Sequence, residues 1–328
     1  MGKQNTSVTE FILLGFPGTH RFQVLLFIAF LSSYLVTLMG NILIMALVWA
    51  DYRLRTPMYL FIANLSLLEV LLTSTVMPKM LVNMVNKRNT ISFTSCIVQA
   101  YFYFLVGSTE FFLLAVMSSD RYVAICYPLQ YANIMTTQAC LRLVAASWMW
   151  GFLALIVPTI LVVRLPYCGP NVIDHFFCDV TPLLKLSCSN TWTIEVVEFA
   201  MSSLLLLGSL LVTVVSYAFI ITTVLRIPSP KGRQKAFSTC TSHIVVVMLF
   251  YGSSIFIYVR PRKSHSLDLN KVASIMNTVV TPLLNPFIYS LRNKKVKEAL
   301  RDTLKRKLYS FKKPQLVSKR GNCVKNER

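Results

Sequence analysis

Apolar residues come along this chain in runs too long for the alternation of a strand or the single stripe of a soluble amphipathic helix. Five runs carry no Asp, Glu, Lys or Arg: residues 22–50, 143–163, 199–225, 236–259 and 272–291. Each reaches the roughly 20 residues a helix needs to cross the hydrocarbon core of a bilayer. Two further spans, 57–84 and 96–125, each hold one carboxylate well inside, Glu69 and Glu110. The pattern predicts an all-α membrane protein, a seven-transmembrane helix bundle over residues 23–291, with an N-terminal segment (1–22) before it and a basic tail (292–328) after it. The first run is too long for a signal-peptide core, so the first helix is expected to insert as its own signal. Pro282 and Pro286, four apart, predict a kinked last span. Beyond it, basic residues alternate with Val296, Ala299, Leu300 and Leu304, the pattern of a short amphipathic helix lying on the membrane surface.

Composition agrees, with 55% hydrophobic and 14% charged residues in 328. The formal net charge of +20 invites a nucleic-acid reading, but 14 of the 33 Lys and Arg lie from Arg292 onward. A basic tail beside an anionic inner leaflet accounts for them, and no nucleic-acid partner is expected. Seven crossings put the termini on opposite faces. The tail charge favours a cytoplasmic C-terminus. The Asn5-Thr6-Ser7 glycosylation sequon needs a lumenal N-terminus to be used. That topology also places Cys96, Cys168, Cys178 and Cys188 on the side where disulfides form, and Cys126, Cys140, Cys240 and Cys323 where thiols stay reduced. The N-terminus is therefore expected outside. Residues 164–193 form the one long outer loop and hold three of the four outer cysteines, so a bridge from Cys96 would turn the loop into a lid; three pairings are open.

Asp120-Arg121-Tyr122 closes the third span and Asn285-Pro286-Phe287-Ile288-Tyr289 closes the seventh. With Gly40-Asn41 in the first span and residues 65–69 in the second, these landmarks resemble the rhodopsin-like G-protein-coupled receptors. Longer runs narrow the branch: Leu54-Arg55-Thr56-Pro57-Met58-Tyr59, residues 119–126, residues 235–243 and Pro286-Phe287-Ile288-Tyr289-Ser290-Leu291-Arg292-Asn293-Lys294 resemble the vertebrate olfactory receptors. The opening, residues 8–16, does so too, and the likeness extends to about residue 304. The resemblance implies an odorant receptor, multi-pass in the plasma membrane, that binds small volatile odorants and activates a heterotrimeric G protein of the stimulatory olfactory type, raising cyclic AMP. It also implies the pairs Cys96 with Cys178 and Cys168 with Cys188. The chain departs from the family pattern at Ser118-Ser119, at Arg55 and at Glu69.

Candidate chemistry follows. Arg121 is the residue expected to meet the G protein, held at rest by its neighbour Asp120 and released on activation. Tyr122, Tyr217, Asn285, Pro286 and Tyr289 belong to the same expected switch, and His243 reads as a buried, hydrogen-bonded histidine. Glu69 and Glu110, with Asn41 and Asn285, resemble the sodium pocket of rhodopsin-like receptors; alternatively one carboxyl is protonated and the pair shares a hydrogen bond. An allosteric sodium ion is the only bound cofactor the resemblance implies.

No Asp occurs in residues 96–109, which argues against an amine held there, and no Lys lies within the seventh span beyond Lys271 at its edge, which leaves a retinal Schiff base without an amine. An apolar, hydroxyl-bearing pocket is expected instead. Its members are Tyr103, Phe104, Gly107 and Ser108, then Met201, Ser202 and Leu205, then Tyr251, Ser254, Ile255 and Tyr258, and finally Ile275 and Thr278. Glu198 stands near the outer end of the fifth span. The rival readings are a non-olfactory receptor for a small lipophilic ligand and a seven-helix transporter; the latter predicts paired midplane helix breaks, which the sequence lacks. No segment assembles a nucleophile, a base and an orienting group, so no enzymatic activity is expected.

Overall fold

The computed structural model describes residues 8–86, 89–168, 170–258, 267–292, 295–303 and 305. Seven long helices make the bundle: helix one His20–Ala50, helix two Pro57–Val85, helix three Phe93–Cys126, helix four Thr137–Val163, helix five Trp192–Leu225 and helix six Pro230–Tyr258. Helix seven is composite, with Leu267–Ile275, a wide π turn Met276–Val280 and Thr281–Arg292. Six of the seven are long and apolar enough to cross a membrane. Helix six makes the seventh, bent by 43° between its Pro230–Ser238 and Cys240–Ile255 parts.

Helix ends follow local chemistry. Pro57 opens helix two, where its missing N–H costs nothing. Ser92 and Thr136 cap helices three and four by accepting from the backbone N–H of Ser95 and Ala139, each at 3.2 Å. The helix-seven prolines leave one backbone carbonyl without its helical donor. Pro286 has no N–H to offer the carbonyl of Pro282, and Asn41 of helix one supplies the missing donor, its Nδ2 reaching that carbonyl at 3.3 Å. After the bundle, residues 295–303 are helical; Val296 and Ala299 are buried while Lys295, Lys297, Glu298 and Arg301 are exposed, as the amphipathic pattern requires. Arg53 Nη2 reaches Asp302 of this helix at 2.8 Å and Asp51 at 2.7 Å, fastening it beneath helix one.

Helix three is the axle. Leu113, Leu114, Thr109 and Ser118 are at most 1% exposed, whereas the outer helices leave Leu204, Leu211 and Met248 open to what is, for this protein, an apolar solvent. Close approach is set by two glycines. A Cβ on Gly40 would stand 2.9 Å from Pro286 Cβ, and one on Gly151 would run into the Thr109 side chain and stand 3.1 Å from its backbone nitrogen.

A small sheet closes the amino-terminal end of the bundle. Strand β1 (Glu10–Leu13) pairs antiparallel with β2 (Thr90–Ser92), Phe11 opposite Ile91, and parallel with β3 (Val172–Ile173), Ile12 opposite Val172. Phe11, fully buried, packs edge-on to Tyr167 at 5.8 Å. Gly151→Val is expected to push helices three and four apart and to cost about 1–3 kcal/mol. Thermal unfolding of the purified protein in detergent checks it: a melting temperature equal to the parent's would contradict the close packing.

Candidate functional site

At the end of the bundle away from the sheet, the expected ion pair is present. Arg121 Nη2 lies 3.4 Å from Asp120 Oδ2, and both residues are buried. Asp120 Oδ1 accepts in addition from the Tyr131 hydroxyl at 2.8 Å, a partner contributed by the short helix Tyr131–Ile134 that the sequence did not single out. Tyr217 of helix five meets His243 Nδ1 of helix six at 2.6 Å, so the histidine is buried and bonded as expected. Tyr289 is buried, and its hydroxyl has no hydrogen-bond partner among the described residues. Tyr122 packs at the rim against Tyr127 and Phe219. Ser118 lies inside the bundle, donating to the Leu114 carbonyl at 2.9 Å and standing 3.3 Å from Thr213 Oγ1 of helix five. Ser242 of helix six reaches the Ile288 carbonyl of helix seven at 3.3 Å, so these ends are drawn together.

Halfway along the bundle the four expected polar residues are all buried. Asn285 Nδ2 donates to Glu69 Oε1, and Asn41 Nδ2 is committed to the Thr37 and Pro282 carbonyls. The Glu69 and Glu110 carboxyl groups lie within hydrogen-bonding reach of each other; apart from that contact the remaining oxygens, Glu69 Oε2, both of Glu110, and the amide oxygens of Asn41 and Asn285, have no hydrogen-bond partner among the described residues. An all-oxygen donor set of this kind fits a hard cation.

Between this layer and the sheet lies a cavity of about 880 Å³. Tyr103, Phe104, Gly107, Ser108, Met201, Ser202, Leu205 and Ser254 line it, as expected. Four expected members do not. Tyr251 is buried against Phe111 at 5.5 Å, and Ile255 is 38% exposed on the exterior. Ile275 packs on the core, and Thr278 is fully buried, bonded to the Ser274 carbonyl. The reason is common to all four: neighbouring residues on a helix stand about 100° apart, and the lining face is the adjacent one, Phe250 and Ser254 on helix six, Asn270, Ser274 and Asn277 on helix seven. The Tyr258 side chain and Asn5 lie outside the described residues.

The sequence reading also missed one wall. Ala154, Leu155, Pro158 and Thr159 of helix four line the cavity, as do Phe177 and the short loop helix Val180–Leu184 above. Helix four reads as uniformly apolar, so nothing in it marks the lining side. The cavity is also more polar than expected. Glu110 reaches it from below, and Asp179, Glu195, Glu198 and Lys185 line it nearer the sheet.

A family model described as olfactory receptor matches residues 30–307. The chain belongs to the olfactory receptor family. Human olfactory receptor 6S1 is 53% identical over 306 residues, 93% of this chain and 92% of the relative. Human olfactory receptor 6T1 and mouse olfactory receptor 6E1 are each 54% identical over 299 residues, 91% of this chain and 93% and 96% of theirs. It is thus a multi-pass plasma-membrane odorant receptor of a family that couples to G proteins, and not an enzyme.

In this olfactory receptor the cavity is roofed by the long loop. Cys96 and Cys178 pair with Cα atoms 5.4 Å apart, and Cys168 and Cys188 with theirs at 5.8 Å, the pairing the resemblance implied. Gln99 Oε1 of helix three accepts from the Cys178 N–H at 3.0 Å, and Phe177 then packs on Tyr103 at 4.6 Å. Behind it, His175 stacks on Phe176 at 4.6 Å, and Phe176 on Phe16 at 5.2 Å. Lys271 of helix seven joins Asp174 at 2.6 Å and donates to the Gly15 carbonyl at 3.2 Å, where φ of +62° suits glycine.

Burial, with Lys271 near, pushes the His175 imidazole from 6.5 down to about 3, so it is neutral in the folded lid. The unfolded chain binds the extra proton between those values, so this contribution is complete above about 6.5 and is lost as the pH falls towards about 3. His175→Phe is expected to flatten the acid side of the stability curve. Melting temperatures of both proteins from about pH 7 to about pH 4 check it, and parallel curves would contradict the buried neutral imidazole.

Proposed function

We propose that the receptor takes small, mostly apolar volatile odorants into the roofed cavity and relays their binding to a stimulatory G protein that raises cyclic AMP. The observation that carries this reading is the cavity itself, with aromatic and aliphatic walls, a few hydroxyl and amide groups, Ser108, Ser202, Ser254 and Asn277, able to orient one oxygen function, and the charged Asp179, Lys185, Glu195 and Glu198 gathered nearer the sheet. Burying about 200 Å² of odorant surface contributes about 5 kcal/mol before the cost of association, so binding is weak and fast to reverse. The disulfide-bonded cysteines at the sheet end, with free Cys126, Cys140 and Cys240 at the other, support an N-terminus outside and an inward-facing Arg121. Activation then consists of Arg121 leaving Asp120, with Tyr217 and Tyr289 exchanging their present surroundings for partners across an opened inner face. Asn5 is the glycan acceptor in this topology, and the basic tail rests on the anionic inner leaflet.

Sodium is assigned to the midplane layer, held by the free oxygens of Glu69, Glu110, Asn41 and Asn285. The ion would offset one of the two carboxylate charges, leaving the other carboxyl protonated, and would tie helices one, two, three and seven together through its oxygen ligands.

A cyclic AMP reporter screen against a chemically varied odorant panel tests the first proposal. Arg121→Ala is expected to abolish responses at unchanged surface expression, and Ser254→Val to weaken oxygen-bearing agonists about tenfold, the worth of one hydrogen bond. Responses surviving without Arg121 defeat the switch, and responses confined to amines defeat the apolar cavity. For sodium, replacing choline by sodium at constant ionic strength is expected to raise the melting temperature of the receptor in lipid nanodiscs, and Glu69→Gln to remove the rise. Equal melting in the two salts favours instead a proton shared between the two carboxyls.

A further inference from the structure

Helix five meets the bundle differently along its length. From Leu206 onward it buries a residue on nearly every turn: Leu206, Ser209, Thr213, Ser216, Ile220 and Val224. Over residues 195–205 it buries none, a stretch of about 16 Å, half the thickness of the hydrocarbon core. Helix four faces that stretch across the cavity, with Leu155 and Thr159 on the lining. Val196 and Phe199 belong to the same lining, yet they are 45% and 56% exposed, where Tyr103 of helix three, lining the same cavity, is 7% exposed. Lining residues left this open mark a gap in the wall.

We propose that this opening, between the outer halves of helices four and five, is the entrance for odorants, which arrive dissolved in the outer leaflet rather than from water. The inference rests on the cavity being the odorant site. Apolar volatiles concentrate in the bilayer for the same reason they fill the cavity, so a side entrance draws on the richer phase and spares the roof from opening. The roof is built to stay shut: the Cys96–Cys178 bond, the Lys271–Asp174 ion pair and the Phe176–Phe16 stack all tie it down. Leu155, Val196 and Phe199 give the opening an apolar surface that suits passage from lipid, with Glu195 and Glu198 beside them on helix five.

Thiol labelling tests the route without an agonist, so its outcome does not depend on whether an odorant has been found. Ser108→Cys places a thiol in the cavity, and the parent receptor, with its native free cysteines, supplies the background. Receptors in lipid nanodiscs, open to reagent on both faces, are treated with bilayer-partitioning N-cyclohexylmaleimide or with a cationic, water-confined methanethiosulfonate. Rates are normalised to each reagent's reaction with glutathione. The maleimide is expected to label the cavity thiol about tenfold or more faster than the cationic reagent. Thr159→Trp or Val196→Trp, either of which narrows the opening, is expected to slow it about tenfold, whereas Val180→Trp in the roof is not. Two separate wall variants keep the test intact if one fails to reach the membrane. Equal access for the cationic reagent, no slowing by the wall variants, or slowing by the roof variant alone overturns the proposal.

Discussion

The Cys96–Cys178 bond is the constraint on which the amino-terminal half of the receptor depends. It holds a long polar loop against the head of helix three, where the Gln99 side chain completes the anchorage by accepting from the Cys178 N–H. Once that point is fixed, Phe177 reaches down onto Tyr103 as part of the cavity wall, and β3 comes alongside β1. The N-terminal segment then has an edge to pair with, and Lys271 of helix seven finds both Asp174 and the Gly15 carbonyl within reach. A loop of this length left free would pay a large ordering entropy; cross-linked, much of that loss is already taken in the unfolded chain.

Below the cavity the organising problem is different, because polar groups inside a bilayer must find partners within the protein. The helix-seven prolines release a carbonyl, and Asn41 answers it across the bundle. Asn285 answers Glu69. Arg121 is held by Asp120, which Tyr131 in turn supports. Asp120 and Arg121 are neighbours on helix three, but the Asn41–Pro282, Asn285–Glu69 and Tyr131–Asp120 bonds join different helices, so a movement of one helix must break or exchange them. The polar groups between Glu110 and Arg121 therefore couple the cavity floor to the end of the bundle away from the sheet: they have few alternative partners, and the alternatives lie on other helices. Aromatic packing of Phe111 on Phe250, at 4.6 Å, links the cavity floor to helix six, the helix that carries His243.

Long uncharged runs, the alternation after the last span and the ordered motifs were enough by themselves to determine seven helices, the amphipathic helix after them, the Asp120–Arg121 pair and the family. Each of these depends on spacing along one chain segment or on chemistry a residue carries anywhere. What only the tertiary structure decided was rotation and separation. Tyr251 and Phe250 are neighbouring aromatic residues, and nothing local says which one faces the cavity; both pack on Phe111, and the rotation of helix six in the bundle turns Phe250 to the lining. Ile275 and Thr278 lost their expected places to Ser274 and Asn277 in the same way. In a membrane the usual signal for rotation, polar side out and apolar side in, is erased, because lipid and core are alike apolar. The stand-off of helix five from helix four was invisible for the same reason, since its sequence reads the same whether a helix or a lipid tail lies beside it.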